Sequence, residues 1–98
     1  MKRRTIDNAL FHIGELYLFH QDNPKCPSST SLWGMFDKAL NNHIYLEHST
    51  VNLSHFQLHH VLPQQYMFYR KATRSELRDY MYNLGVWEFF LSIKKFEL

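Results

Sequence analysis

The chain holds one cysteine, Cys26, among 98 residues. That rules out an internal disulfide and the stapled framework on which small secreted domains rely, so a reducing, cytoplasmic setting is expected. Glycine is scarce as well. The three glycines stand at 14, 34 and 85, too scattered to build the glycine-rich loop that cradles a phosphate. No GxSxG, P-loop or Rossmann pattern occurs, and no HExxH or CxxC spacing of a zinc site. Uninterrupted apolar runs are missing too: none reaches the roughly 18 to 20 residues of a membrane span. Met1-Lys2-Arg3-Arg4 leads into Asp7, Asn8, His12 and Glu15, not into the apolar stretch of an export signal. Charge of one sign is also in short supply. Lys and Arg number 11 against nine Asp and Glu, a net +2, which is too little to mark nucleic-acid or membrane binding. The expectation is a protein that is not an enzyme, with no cofactor, no metal and no membrane partner.

What is present is a foldable composition with a surplus of rings. The chain is 45% hydrophobic and 20% charged, outside the range that keeps a sequence disordered. Its length fits one small domain over residues 1–98. Aromatics make up 16%, and seven histidines accompany them. A core of this size can fully bury only a few large rings, so some are expected at the surface.

Periodicity suggests an α+β domain: two N-terminal helices, a small and mostly antiparallel sheet, and a third helix before a C-terminal strand. Ile6, Ala9, Leu10, Ile13 and Tyr17 recur at helical spacing from Thr5 to Phe19, with Thr5 and Asp7 as cap and first-turn charge. Residues 21–29 collect turn formers and Pro24 and Pro27, hence a loop. Leu32, Met35, Phe36, Ala39 and Leu40 predict a second helix ended by Asn41-Asn42. Between His43 and Val61 the period is ambiguous and leans to strands. Residues 65–71 alternate as a strand. Thr73 with Glu76 forms a capping box for a third helix through Leu77, Tyr80, Met81 and Leu84, with Gly85 as its stop. Residues 86–96 are apolar on both faces, as in a covered strand. Two competing patterns remain: one helix from Ser75 to Lys95, and an all-α chain of four to five helices.

Few clusters carry chemistry. His43, Glu47 and His48, and the pair His55 and His59, have spacings that could contribute metal ligands, yet neither set makes a complete site and hydrogen-bonded surface histidines are the simpler reading. Clustered imidazoles would also gain charge together on mild acidification. Cys26 beside Lys25 would have a favoured thiolate but no base or oxyanion partner, and Ser54-His55 is only a neighbour pair. The apolar Trp87-Glu88-Phe89-Phe90-Leu91 argues against a recognition helix after Gly85.

Arg70, Lys71, Arg74, Arg78 and Tyr82 form the strongest candidate. Arg74, Arg78 and Tyr82 lie four apart, one stripe on the third helix. Arginine forks grip carboxylates or phosphates, and tyrosine gives a rigid contact surface. The ordinary alternative is a solvated face balanced by Glu76 and Asp79. The expected partner is another protein, or the chain itself as a homodimer, bound in the manner of an inhibitor, immunity protein or accessory subunit. The alternative is a nucleic-acid-binding regulator holding phosphates with this stripe and Lys2-Arg3-Arg4 while aromatics stack on bases.

Overall fold

A computed structural model describes residues 11–21, 31–63, 66 and 68–96. It overturns the expected α+β arrangement and the all-α one: the protein is a five-stranded antiparallel sheet with one C-terminal helix. The strands are β1 (Leu16–His20), β2 (Leu32–Leu40), β3 (His43–Thr50), β4 (Gln57–Val61) and β5 (Phe68–Lys71), and helix α1 spans Arg74–Phe96. Their order is β4-β3-β2-β1-β5, so β5 crosses to pair with β1 at the far edge.

The expected first helix is where periodicity misled most. Residues 1–10 lie outside the described residues, but Ile13, assigned to that helix's apolar face, is 78% exposed. The decisive stretch is Leu16-Tyr17-Leu18-Phe19, which is buried throughout. A short continuous apolar run suits a strand covered on both faces as well as it suits a helix. Leu16 and Leu18 pack on the helix side, Tyr17 and Phe19 on the other.

The expected second helix is strand β2. Its i, i+3, i+4 matches were coincidental: Leu32 and Phe36 belong to one face, Trp33 and Met35 to the other. Asn41-Asn42 is a genuine stop of a different element. Both residues have positive φ, 52° and 62°, as a two-residue hairpin turn of the primed kind requires, and asparagine tolerates that geometry best after glycine. The turn pairs Leu40 with His43.

Strands β3 and β4 fall in the region that leaned towards strands, and β5 lies within the strand expected at 65–71, where 64, 65 and 67 are outside the described residues. The third helix begins where its capping box put it, but Gly85 does not stop it. Residues 86–96 continue α1 and are not a strand.

Two register shifts bend the β2–β3 pair, one between Trp33 and Met35 and one between Phe36 and Lys38. At the first, β3 carries the extra residue, and His48 there takes a positive φ of 52°. Such bulges increase local twist and bend. One face of the sheet gathers Tyr17, Phe19, Leu32, Phe36, Ile44, Leu46 and Leu62, with Phe11, Tyr66 and Tyr69 packed against them. Phe11 is the hub of these rings: it meets Tyr17 edge-on at 4.9 Å and stacks on Phe36 at 5.2 Å. Much of the aromatic surplus is therefore core. The opposite face holds Leu16, Leu18, Trp33 and Phe56 under Tyr80 and Leu84 of α1.

Candidate interaction face

Helix α1 starts from an interlocked cap. The Glu76 backbone N–H donates to Thr73 Oγ1 at 3.2 Å, and the Thr73 N–H donates to Glu76 Oε1 at 2.8 Å. This reciprocal pair satisfies two of the N–H groups that a helix start leaves unpaired. Arg70 closes on the same carboxylate with both guanidinium nitrogens, at 2.7 and 2.8 Å. The Arg70 guanidinium, against the opposing effect of burial, holds the Glu76 carboxyl at about 2.

That geometry divides the basic cluster. Arg70 is committed to the cap, and Lys71 reaches back to Glu15 Oε1 at 3.2 Å. Arg74, Arg78 and Tyr82 remain exposed on α1. The Lys71 contact is itself exposed and of small energetic weight.

The inner side of α1 is fixed by Tyr80 and Leu84, both buried, and by Trp87. Trp87 extends the contact through Phe56, 6.5 Å away, and His55, 5.2 Å away. Beyond this the helix outgrows its sheet: every residue from Glu88 to Lys94 is exposed. At 100° per residue, Tyr82, Val86, Phe89 and Ile93 lie on the side opposite Tyr80 and Leu84. Their exposures are 72%, 51%, 68% and 41%. The line continues the one on which Arg78 and Tyr82 stand.

Val86, Phe89 and Ile93 were not in the candidate cluster, because residues 86–96 read as a covered strand. The signal available was their 4-3-4 spacing from Tyr82, which is helical and marks a stripe of its own, apart from Leu77, Leu84, Trp87 and Leu91. Beside the stripe, a groove of about 320 Å³ opens between α1 and the turn after β3, lined by Leu53, His55, Val86, Trp87 and Phe90 among others.

The histidines distribute differently from their sequence clusters. His43 Nδ1 meets the Asn41 carbonyl at 2.8 Å, His48 occupies the bulge, and His55 lies against Trp87. Among the described residues no three His, Cys, Asp or Glu side chains gather as metal ligands. Cys26, Lys25 and Lys2-Arg3-Arg4 lie outside the described residues.

Two serine–histidine pairs were not foreseen, since each joins residues 11 apart, Ser49 on β3 with His60 on β4 and His20 on β1 with Ser31 just before β2. Ser31 Oγ meets His20 Nδ1 at 2.9 Å inside the domain, and Ser49 Oγ meets His60 Nδ1 at 2.8 Å. Ser49 and His60 line an open cavity of about 360 Å³ with Leu32, Thr50 and Phe56. Burial lowers the pKa of both imidazoles, and Arg70 lowers that of His20 further. With no third group orienting either imidazole among the described residues, neither pair makes a triad.

Comparison with protein-family models, curated proteins and solved structures gives no match. Among the described residues no helix is long and apolar enough to cross a membrane.

Proposed function

We propose that the protein acts by binding another protein, without catalysis, through the outer face of α1, in the manner of an inhibitor, immunity protein or accessory subunit working in the cytoplasm. The observation that carries this reading is the exposure of Tyr82 and Phe89, at 72% and 68%, on a helix whose other side is anchored by buried Tyr80 and Leu84. Isolated exposed apolar residues are ordinary, but a contiguous line of large ones marks contact surface. Aromatic residues and arginine supply most interface hot spots, and Arg74 and Arg78 extend the same face. Because the helix is held by its sheet as far as Trp87, a partner meets that part of the face preorganised and ordering costs less there. The single cysteine supports the reducing compartment.

Tagged protein is used to capture its partner from source lysate, with and without nuclease, alongside Phe89→Asp and the double variant Arg74→Glu with Arg78→Glu. The reading expects one stoichiometric protein that survives nuclease and is lost with Phe89→Asp, while thermal unfolding stays nearly unchanged. Capture that disappears with nuclease and collapses steeply with salt would transfer the face to nucleic acid. Capture indifferent to both variants would remove the face from the function.

A further inference from the structure

We propose that the occupant of the Tyr82–Val86–Phe89–Ile93 stripe is a second copy of the chain, joined in a two-fold helix-against-helix contact; this rests on the binding role of α1's outer face. The first argument is spacing. Intervals of four, three and four residues place these side chains in one seam along three turns, the repeat by which paired helices interlock. The second is self-complementarity, which a two-fold contact demands because one patch must fit itself. With the helices antiparallel, Val86 of one copy meets Phe89 of the other and Tyr82 meets Ile93. Each aromatic ring then faces a β-branched side chain, large against small, in every layer. The antiparallel arrangement also opposes the two helix dipoles and keeps Asp79 away from its own counterpart.

Charge is permissive. Between Tyr82 and Ile93 the residues flanking the seam are Asn83, Gly85, Phe90 and Ser92, all uncharged; Arg78 and Asp79, one turn before Tyr82, are of opposite sign and exposed at the ends of the contact, so closing it buries no charge unpaired. Gly85 has nothing within 4 Å of where its side chain would begin, and with Ser92 it lets a second backbone approach closely. Area is sufficient. An aromatic side chain presents about 150–250 Å², so the exposed fractions of the stripe and of Phe90 give on the order of 500 Å² per copy. Two copies then reach about 1,000 Å², the lower bound for a specific interface. The sheets sit on the opposite sides of their helices and do not obstruct the contact.

The test is sedimentation equilibrium of the purified full-length protein from low micromolar to several hundred micromolar. Phe89→Asp and, as a control away from the seam, Met81→Asp are run beside it, with far-UV circular dichroism to verify folding. The expected result is a reversible monomer–dimer equilibrium for wild type and Met81→Asp, and Phe89→Asp folded but weakened in dimerisation at least 100-fold. Wild type monomeric throughout, a dimer unaffected by Phe89→Asp, or a mass that grows without limit would each overturn the proposal. If wild type is monomeric while Phe89→Asp still abolishes capture of a different protein, the second copy is wrong and the binding role stands. If Phe89→Asp changes neither, both fall.

Discussion

The Tyr80 hydroxyl donates a 2.8 Å hydrogen bond to the backbone carbonyl of His48, tying the middle of α1 to the bulge in β3. Tyr80 is fully buried and meets Phe56 edge-on at 5.6 Å, so one side chain joins helix, bulge and core. Tyr80→Phe keeps the ring and removes the donor. It is expected to cost about 1–2 kcal/mol, because the bond is lost and the carbonyl loses a partner. Urea unfolding should show a lower midpoint with an unchanged m-value. A neutral outcome would show the bulge is held without this bond.

Tyr80 also sets the alkaline limit. Burial raises the phenol pKa above its ordinary 10.0, and the nearby carboxylates of Glu47 and Glu88 add to the shift. The unfolded chain therefore releases this proton first, so the stabilisation is whole below pH 10 and is lost as pH rises above it. Tyr80→Phe should show a shallower alkaline decline in thermal stability than wild type.

Glu76 governs the acid side. Its carboxyl sits at about 2, against 4.5 for the ordinary group. The stabilisation is complete above pH 4.5 and fades as pH falls towards 2. Because the pair is partly exposed, the effect is about 1–2 kcal/mol and not the full electrostatic equivalent of the shift. Glu76→Gln should lose that stability at pH 7 and flatten the acid-denaturation profile between pH 4.5 and 2, as followed by helix ellipticity.

His20 predicts a separate transition nearer neutrality. Its ring is buried, and its Nε2 has no hydrogen-bond partner among the described residues. Burial first, and Arg70 second, lower its pKa from 6.5, while Glu76 opposes them. The unfolded chain takes up this proton before the folded one, so stability falls as pH drops through 6.5. His60, lowered by burial alone, acts in the same direction. Replacing both with Gln should reduce the slope of urea midpoint against pH between 7 and 5. An unchanged slope would assign it to other groups.

The start of α1 was legible because a capping box is local: Thr73 and Glu76 act on backbone groups three residues away. The strand character of residues 68–71 could be read from alternation and β-favouring side chains, whereas 57–61 only leaned that way because the period there fits a short helix about as well. Strands β1 and β2 could not be read, since Leu16 to Phe19 is apolar throughout and Leu32, Met35 and Phe36 match the helical period by chance while lying on both faces of a covered strand. What settles these segments is pairing, Leu18 beside Trp33 and Arg70, and pairing is non-local. The same limit applied to the candidate face. Arg74, Arg78 and Tyr82 form an exposed stripe because their spacing is local, whereas the use of Arg70 by Glu76 and of Lys71 by Glu15 depends on how β1, β5 and α1 meet. Extending the stripe to Phe89 required knowing that α1 continues through Gly85.

Glycine marks an obligatory gap at one position and not at another, and the two should respond to alanine with opposite signs. A side-chain carbon at Gly34 would stand 2.8 Å from Leu46 Cδ1 and 3.1 Å from Leu46 Cβ. Leu46 is buried in the core and has little room to yield, so Gly34→Ala should destabilise the protein by about 1–3 kcal/mol through overpacking. Gly85 lies inside α1 with open space around it. Alanine there fits the helical backbone and restricts the unfolded chain, so Gly85→Ala should stabilise by about 0.5–1 kcal/mol. Urea unfolding of the two variants at a single low protein concentration measures both. Stabilisation by Gly85→Ala supports one continuous helix from Arg74 to Phe96, whereas destabilisation would restore Gly85 as the stop that sequence alone suggests, with residues 86–96 no longer helical.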